Sequence, residues 1–184
     1  MWNQDSRART TPPERKEMEF RELVERRQSV RVYRRGAVDL EKLTEILEVT
    51  NRAPSAGNFQ AYEIYVVPQS KLSELQAATF DQKFVAEADL ALVICTHAAR
   101  CQYDDPERWA MQDASIATTF AMMAIADLGL ATCWVGAFSL EAVAKVIQTP
   151  EGIVPMAILP IAGPGEQPER TTRRALEDLV HRAG

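Results

Sequence analysis

Residues 111–138, with the sequence MQDASIATTFAMMAIADLGLATCWVGAF, decide more about the fold than any other stretch of this chain. The first part, residues 111–127, is rich in alanine and methionine and predicts a long helix that ends at Gly129. Apolar residues lie around most of its circumference, so we expect a central helix rather than a surface helix. Residues 131–135 then predict a short strand.

Helices and strands alternate irregularly on both sides of this stretch. Asp39 and Ser139 are suitable N-caps for two helices, which end before Pro54 and at Gln148. Further helices are predicted at residues 18–28, 71–79 and 174–182. Strands are predicted at residues 30–33, 62–67, 89–96 and 153–162, and loops at residues 53–60 and 98–110. Because this order lacks strict βαβ alternation, an α+β fold is favoured over a doubly wound sheet.

The length and composition fit one globular domain. The chain has 184 residues, of which 46% are hydrophobic and 26% are charged. These values allow a buried core and exclude a fibrous or wholly disordered chain. Residues 1–17 are polar, contain proline and lack periodicity, so we expect a flexible N-terminal extension before a domain of residues 18–184.

Three features predict a cytoplasmic protein without a membrane segment. The longest apolar stretch, residues 90–95, is far shorter than the roughly 20 residues of a membrane-spanning helix. The N-terminal residues lack the apolar core of an export signal. The three cysteines, Cys95, Cys101 and Cys133, are odd in number and lack CxxC spacing, so we expect no disulfide framework.

The charge distribution indicates a pocket for a small anion rather than a nucleic-acid surface. The net charge is -5, whereas nucleic-acid-binding proteins are usually basic. Within this acidic chain, residues 1–36 contain ten Lys and Arg against six Asp and Glu, and residues 170–184 contain four against two. We expect the two arginine-rich ends to form one anion pocket. For any single arginine, the alternative is a solvated surface charge.

The side chains offer no recognisable nucleophile or metal centre. His97 and His181 are the only histidines, and Cys101 is the only possible second ligand near either of them, which makes a poor zinc site. A GxSxG motif is absent, and the sequence Gly163-Pro164-Gly165 lacks the Lys-Ser/Thr pair of a P-loop. An enzyme with this inventory would depend on an organic cofactor.

Four motifs follow one another along the chain. They are RRQSVRVY at residues 26–33, APSAGNFQ at 53–60, GLATCWVGAF at 129–138, and LPIAGPGE at 159–166 followed by RRALED at 173–178. In this order and with this helix pattern, the sequence resembles the nitroreductase family of FMN-dependent oxidoreductases over residues 18–184. The resemblance implies an α+β homodimer, with a central mixed or antiparallel β-sheet flanked by helices and with two FMN sites at the subunit interface.

The resemblance assigns the FMN phosphate to residues from both arginine-rich ends. Arg27 and Ser29 match the family's first phosphate-binding motif, and Arg31 matches a basic position that reaches the phosphate, the ribityl chain or the flavin C2 oxygen. Arg173 matches the C-terminal basic residue that closes the site, and Gln28 stands where a second basic residue or a histidine is common. A phosphate close to a dianion needs several charge-assisted donors, and arginine supplies them in a forked geometry.

The resemblance also assigns two segments to the flavin ring. The first is the loop of Pro54, Ser55 and Asn58, with Gln60 following in the motif. The alternative for this loop is an ordinary turn. The second is the strand end after the central helix, where main-chain N–H groups are expected to approach flavin N5. It comprises Trp134, Val135, Gly136 and Ala137.

The implied activity is hydride transfer from NAD(P)H through flavin N5 to a nitroaromatic compound, a quinone or a similar small acceptor, with ping-pong kinetics. The loop at residues 98–110 offers Tyr103 and Trp109 as candidates for a lid over the flavin. The alternatives are an FMN-binding or storage protein with little turnover, and a specialised flavin oxidase or dehalogenase-like member. The apolar circumference of the helix at residues 111–127 independently favours a homodimer, because a partner subunit would cover it.

Overall fold

A single antiparallel sheet forms the centre of the structure, a computed structural model that describes residues 19–183. Its strands are β1 (Tyr33–Arg34), β2 (Tyr62–Pro68), β3 (Leu90–His97), β4 (Ala131–Thr132) and β5 (Ile153–Pro164). Their order is β1-β5-β3-β2, and β4 also pairs with β5. Every pairing between these strands is antiparallel.

Helices pack on both sides of this sheet. Within residues 19–183 they are α1 (Phe20–Arg26), α2 (Leu40–Thr50), α3 (Leu72–Ala78), α4 (Pro106–Asp127) and α5 (Leu140–Ile147). Asp39 Oδ1 accepts a hydrogen bond from Lys42 N (2.9 Å) at the start of α2. Ser139 Oγ accepts one from Ala142 N (3.3 Å) at the start of α5. Both predicted N-caps are therefore confirmed.

The centre of the sheet is buried between two layers of helices. One face packs against α2 and α4 through residues such as Leu92 and Leu159. The other face packs against α3 and α5 through residues such as Val93 and Ile158. Residues 91–95 of β3 are fully buried, because this strand is covered on both faces. Because both of its faces are buried, the strand has an apolar sequence without interruption.

The helix α4 is central, as its sequence predicts. Its small side chains let it approach the sheet and α2 closely. It begins at Pro106 rather than at residue 111, so the predicted loop at residues 98–110 is wrong in its second half. The physical reason is that proline is well tolerated in the first turn of a helix, where its missing N–H costs nothing. Four alanines of α4 are fully buried: Ala110, Ala114, Ala117 and Ala121.

The predicted C-terminal helix at residues 174–182 is wrong. The segment contains only a short 3-10 turn, Leu176–Asp178, and every side chain of residues 169–183 is exposed. Its apolar residues Leu176, Leu179 and Val180 are 73%, 51% and 65% exposed. A helix this short forms only when its apolar face packs on a neighbour, and no other described residue covers it.

Two predicted strands are shorter in the structure. The ladder at residues 131–135 stops after Thr132 and continues only as an isolated bridge between Val135 and Ile158. The strand expected at residues 30–33 is represented by β1, which begins only at Tyr33.

The N-terminal helix is the most exposed one. α1 has no buried residue, and the predicted extension at residues 1–17 lies outside the described residues. In the part of the chain that the structure describes, no helix combines the length and apolar character needed to cross a membrane.

Gly165 joins the end of β5 to the segment that precedes β1. Its N–H donates to Val32 O (2.8 Å), and a Cβ atom at this position would lie 2.8 Å from the same oxygen. Only glycine permits so close an approach. Glu166 Oε1 then accepts hydrogen bonds from Arg31 N (2.8 Å) and Val32 N (3.1 Å). The arginine-rich N-terminal segment is thereby fixed to the residues that follow β5.

Candidate functional site

Two of the sequence motifs meet where α4 ends. Gly129, with a φ of 72°, ends the helix and lets the chain turn into β4. Val30 N donates to Thr132 O (3.0 Å), and Ser29 forms a parallel β-bridge with Thr132. The motif at residues 26–33 therefore lies directly beside the motif at residues 129–138.

Polar residues of the motif at residues 26–33 affect the buried thiol of Cys133. Burial raises the pKa of the Cys133 thiol above its usual value, against the opposing effects of the Arg31 charge, a hydrogen bond with Ser29 and the Arg27 charge. Arg31 also donates a long hydrogen bond to Ser29 O (3.5 Å). The charges of Arg27 and Arg31 and the hydroxyl of Ser29 thus all act on one buried thiol, and residues of these types are suited to bind a phosphate group.

The strand end that follows offers backbone donors. Val135 is held by hydrogen bonds to β5 in both directions (2.9 and 3.0 Å), and Trp134 packs half-buried against the core. Gly136 and Ala137 are exposed, and within residues 19–183 their N–H groups donate no hydrogen bond. Two backbone N–H groups are therefore available to a ligand next to the arginine cluster.

The loop between α2 and β2 has an unusual backbone. Gly57, Asn58 and Gln60 have φ values of 54°, 57° and 51°, in the left-handed region that asparagine tolerates better than glutamine does. Ser55 Oγ accepts a hydrogen bond from Gln60 N (3.1 Å), and Gln60 Nε2 donates to Asn58 Oδ1 (3.4 Å). Pro54 and Asn58 are exposed. The loop thus holds two amide side chains together at its surface.

A buried carboxylate that sequence reasoning missed supports this loop. Asp113 of α4 is fully buried. Its Oδ1 accepts a hydrogen bond from Ala56 N (2.8 Å) and its Oδ2 accepts one from Ala61 N (3.2 Å). The signal for it in the sequence is an acidic residue next to alanines inside the central helix, whose other two acidic residues, Glu107 and Asp127, lie at its ends.

Of the two lid candidates, Tyr103 packs onto Phe59 of the same loop, and Trp109 packs onto Tyr103. The ring centroids of Tyr103 and Phe59 are 5.0 Å apart, and those of Tyr103 and Trp109 are 5.9 Å apart. Trp109 Nε1 donates to Asp104 O (2.9 Å). A Cβ atom at Gly57 would lie 2.6 Å from the Phe59 ring and 2.9 Å from the Tyr103 hydroxyl. The three rings therefore form a fixed aromatic wall beside the loop.

A cavity of about 520 Å³ lies between α1, the end of α4 and the segment after β5. Gln28 contributes to its lining, and Arg170 pairs with Glu25 (3.5 Å) at its edge. Neither residues 54–60 nor residues 134–137 line it. One chain therefore does not enclose all the predicted site residues in one cavity. The lining includes four arginines: Arg26, Arg27, Arg34 and Arg170.

Arg173 stands apart from the other predicted phosphate ligands. Its guanidinium donates to Thr171 O (3.0 Å), Thr171 Oγ1 (2.6 Å) and Thr172 O (3.1 Å), all inside the exposed C-terminal segment. Among the described residues, no hydrogen bond links the loop at residues 54–60 to the motif at residues 26–33 either. Within one chain, the motifs at residues 26–33 and 129–138 are therefore in contact. The loop at residues 54–60 and Arg173 make their hydrogen bonds elsewhere.

Comparison with known proteins gives consistent matches. The sequence model of the nitroreductase family matches residues 24–103 and 77–163. A protein of Archaeoglobus fulgidus named as an NADH dehydrogenase/NAD(P)H nitroreductase is 30% identical over 170 residues, which cover 87% of this chain and 95% of that protein.

Solved structures agree with these sequence matches. A nitroreductase family protein of Clostridium difficile is 28% identical with a TM-score of 0.79, covering 89% of this chain and 98% of that one. The NfrA1 nitroreductase of Bacillus subtilis is 21% identical with a TM-score of 0.82, covering 87% of this chain and 72% of that one. The fold is therefore nitroreductase-like.

The burial of the thiols predicts unequal reactivity among the three free cysteines. Burial raises the pKa of Cys95 to about 12 and also raises that of Cys133, whereas Cys101 is only half-buried. Because the thiolate is the nucleophile, iodoacetamide at about pH 8 should modify Cys101 first and leave the other two intact until the protein unfolds. Peptide mass spectrometry checks this order. Modification of Cys133 in the folded protein as fast as Cys101 would contradict the buried cluster.

Proposed function

The chain belongs to the nitroreductase family, and we propose that it is an FMN-dependent NAD(P)H oxidoreductase that reduces a small acceptor such as a nitroaromatic compound or a quinone. Family membership supports a general oxidoreductase activity. The observation that carries the finer proposal is the pairing of the segment with Arg27, Ser29 and Arg31 against β4, next to a strand end with available backbone donors.

The arginine cluster fits the phosphate of FMN. Arg27 and Arg31 supply charge-assisted donors, and Ser29 supplies a hydroxyl. The Arg31 backbone is fixed by Glu166 (2.8 Å), so its side chain starts from a defined position. The buried thiol beside the cluster remains protonated at neutral pH, because its pKa is raised. It therefore adds no negative charge that would repel a phosphate.

The strand end and the loop fit the flavin ring. The N–H groups of Gly136 and Ala137 would donate to acceptor atoms near flavin N5, and Trp134 and Val135 would support the strand end from behind. In the loop, Pro54 and Ser55 would lie along the ring, while the amides of Asn58 and Gln60 offer donors and acceptors to its polar edge. The aromatic wall of Phe59, Tyr103 and Trp109 would limit the access of water to the loop side of the ring.

Bound FMN would supply the redox chemistry by accepting hydride from NAD(P)H and delivering electrons to the acceptor. Hydride transfer needs no side-chain acid or base, so the task of this chain is to bind, orient and shield. Arginines, amides, backbone N–H groups and aromatic rings are suited to these three roles.

We also propose a cytoplasmic location. The cysteines Cys95, Cys101 and Cys133 are all free thiols, which persist in a reducing compartment. Such a compartment also supplies the NAD(P)H that the proposed reaction consumes.

The flavin spectrum tests the proposed function. The purified protein should carry flavin absorbance or acquire it when FMN is added. Under anaerobic conditions, NADH or NADPH should bleach this absorbance, and a nitroaromatic compound or a quinone should restore it. Bound FMN that neither nucleotide reduces would favour a storage protein instead. A colourless protein that does not bind added FMN would refute the assignment.

The substitutions Arg27→Ala and Arg173→Ala should each weaken FMN binding. Each removes a charge-assisted donor from the phosphate, so we expect a loss of affinity of about one to two orders of magnitude. Fluorescence titration of the FMN-free proteins measures the dissociation constants.

The neighbouring residue Arg174 provides the matched control. It lies next to Arg173 and donates to Asp178 O within the same exposed segment, so Arg174→Ala should retain wild-type affinity. Wild-type FMN occupancy of Arg27→Ala or Arg173→Ala after extensive dialysis would contradict the phosphate site at that position.

We propose further that two chains complete each FMN site. Within one chain, Arg173 makes its hydrogen bonds inside its own segment, and the loop at residues 54–60 is not bonded to the arginine cluster. Large apolar side chains are exposed both on α1 and in the C-terminal segment, and a second copy of the chain would cover them. They are Phe20, Val24, Leu176, Leu179 and Val180.

Sedimentation at micromolar concentration tests this assembly. We expect a homodimer of twice the 20.6 kDa of one chain, with an interface well above the roughly 1,600 Å² of a standard complex. Because a ligand that contacts both subunits favours the dimer, added FMN should strengthen the association. A monomer that still holds FMN would contradict a shared site.

A further inference from the structure

The carboxylate of Asp113 is buried and has no cationic partner among residues 19–183. It is fully buried on α4, and none of the ion pairs among residues 19–183 includes it. Burying an ionised carboxylate is costly unless hydrogen-bond donors replace the lost water. Here the donors are the backbone N–H groups of Ala56 and Ala61, at 2.8 and 3.2 Å.

Asp113 makes hydrogen bonds outside its own helix, whereas a second buried polar residue of α4, Thr118, does not. The hydroxyl of Thr118 donates to Ala114 O (2.7 Å), one turn earlier in α4, so its hydrogen bond stays inside the helix. The two oxygens of Asp113 instead reach the loop before β2. The bonds of Asp113 therefore connect α4 to the backbone of that loop.

We propose that Asp113 is a positioning residue that holds residues 55–61 in the backbone form that binds FMN. The inference rests on the proposed function, in which Ser55, Asn58 and Gln60 of this loop contact the flavin. Asp113 fixes the loop near both ends, at Ala56 and at Ala61. The residues between these ends include three with positive φ, a conformation that a free loop would leave.

The geometry requires a carboxylate at this position. Both donors are backbone N–H groups, and a carboxylate presents an acceptor oxygen to each of them. Asparagine has only one acceptor oxygen and would direct an NH₂ group at the second N–H. Asp113→Asn therefore keeps the size of the side chain while it breaks one of the two contacts to the loop.

The matched pair Asp113→Asn and Thr118→Val tests the proposal. In the FMN-free protein, amide hydrogen exchange of residues 55–61 should be at least about tenfold faster in Asp113→Asn, with β3 and β5 protected as in the wild type. The FMN dissociation constant should rise by about tenfold or more. The visible circular dichroism of FMN at saturation should also change, because the loop contacts the ring differently. Thr118→Val should leave all three measurements at their wild-type values.

The outcomes are distinguishable. Unchanged loop exchange in Asp113→Asn would overturn the proposal, and so would an acceleration spread evenly over β3 and β5, which would indicate a general loss of stability. Faster loop exchange with unchanged FMN affinity and dichroism would overturn the link to flavin binding. A wild-type protein that binds no FMN would refute the proposed function, while the loop exchange would still decide whether Asp113 holds the loop.

The wild-type protein supplies a second test if Asp113→Asn does not fold. In an NMR exchange experiment, the amides of Ala56 and Ala61 should exchange slowly, since Asp113 accepts from both. The amide of Gly57, which donates no hydrogen bond within residues 19–183, should exchange rapidly. Equal rates at the three positions would overturn the proposal.

Discussion

The hydrogen bond from Val30 N to Thr132 O is the interaction on which the candidate site depends. It joins a segment near the N-terminus to the strand that follows the central helix. Arg27 and Arg31 follow a short helix that buries no residue, so this helix does not by itself fix their position, and the hydrogen bond holds their backbone beside β4. With it, they lie with Ser29 beside the strand end at residues 134–137. The residues after β5 fix the same segment a second time.

The helix α4 links this cluster to the loop before β2. Asp113, near its beginning, holds the loop, and Gly129, just after its end, turns the chain into β4. Because the alanines of the helix are buried against the sheet and α2, α4 acts as a rigid spacer between the two parts of the site. A fixed separation within one chain agrees with a site that two chains complete together.

The central fold could be predicted from the sequence, because apolar periodicity and local capping depend little on distant context. The strands β2, β3 and β5 and the caps Asp39 and Ser139 are of this kind. The C-terminal segment could not be predicted correctly, because its apolar pattern favours a helix that forms only against a neighbour, and the structure has only a short 3-10 turn there. The role of Asp113 could not be predicted, because its burial depends on a loop that is distant in the sequence. The arginine motif follows from the family resemblance, whereas its gathering around Cys133 is visible only in the structure.

A crystal structure of the protein grown with FMN is the most direct test of the shared flavin site. We expect the phosphate to be bonded to Arg27, Ser29, Arg31 and Arg173, and the ring to lie between residues 134–137 of one chain and residues 54–60 of a second. FMN bound in the cavity beside Arg34, away from Ser29 and Arg31, would contradict this site. So would a complete site formed by one chain alone.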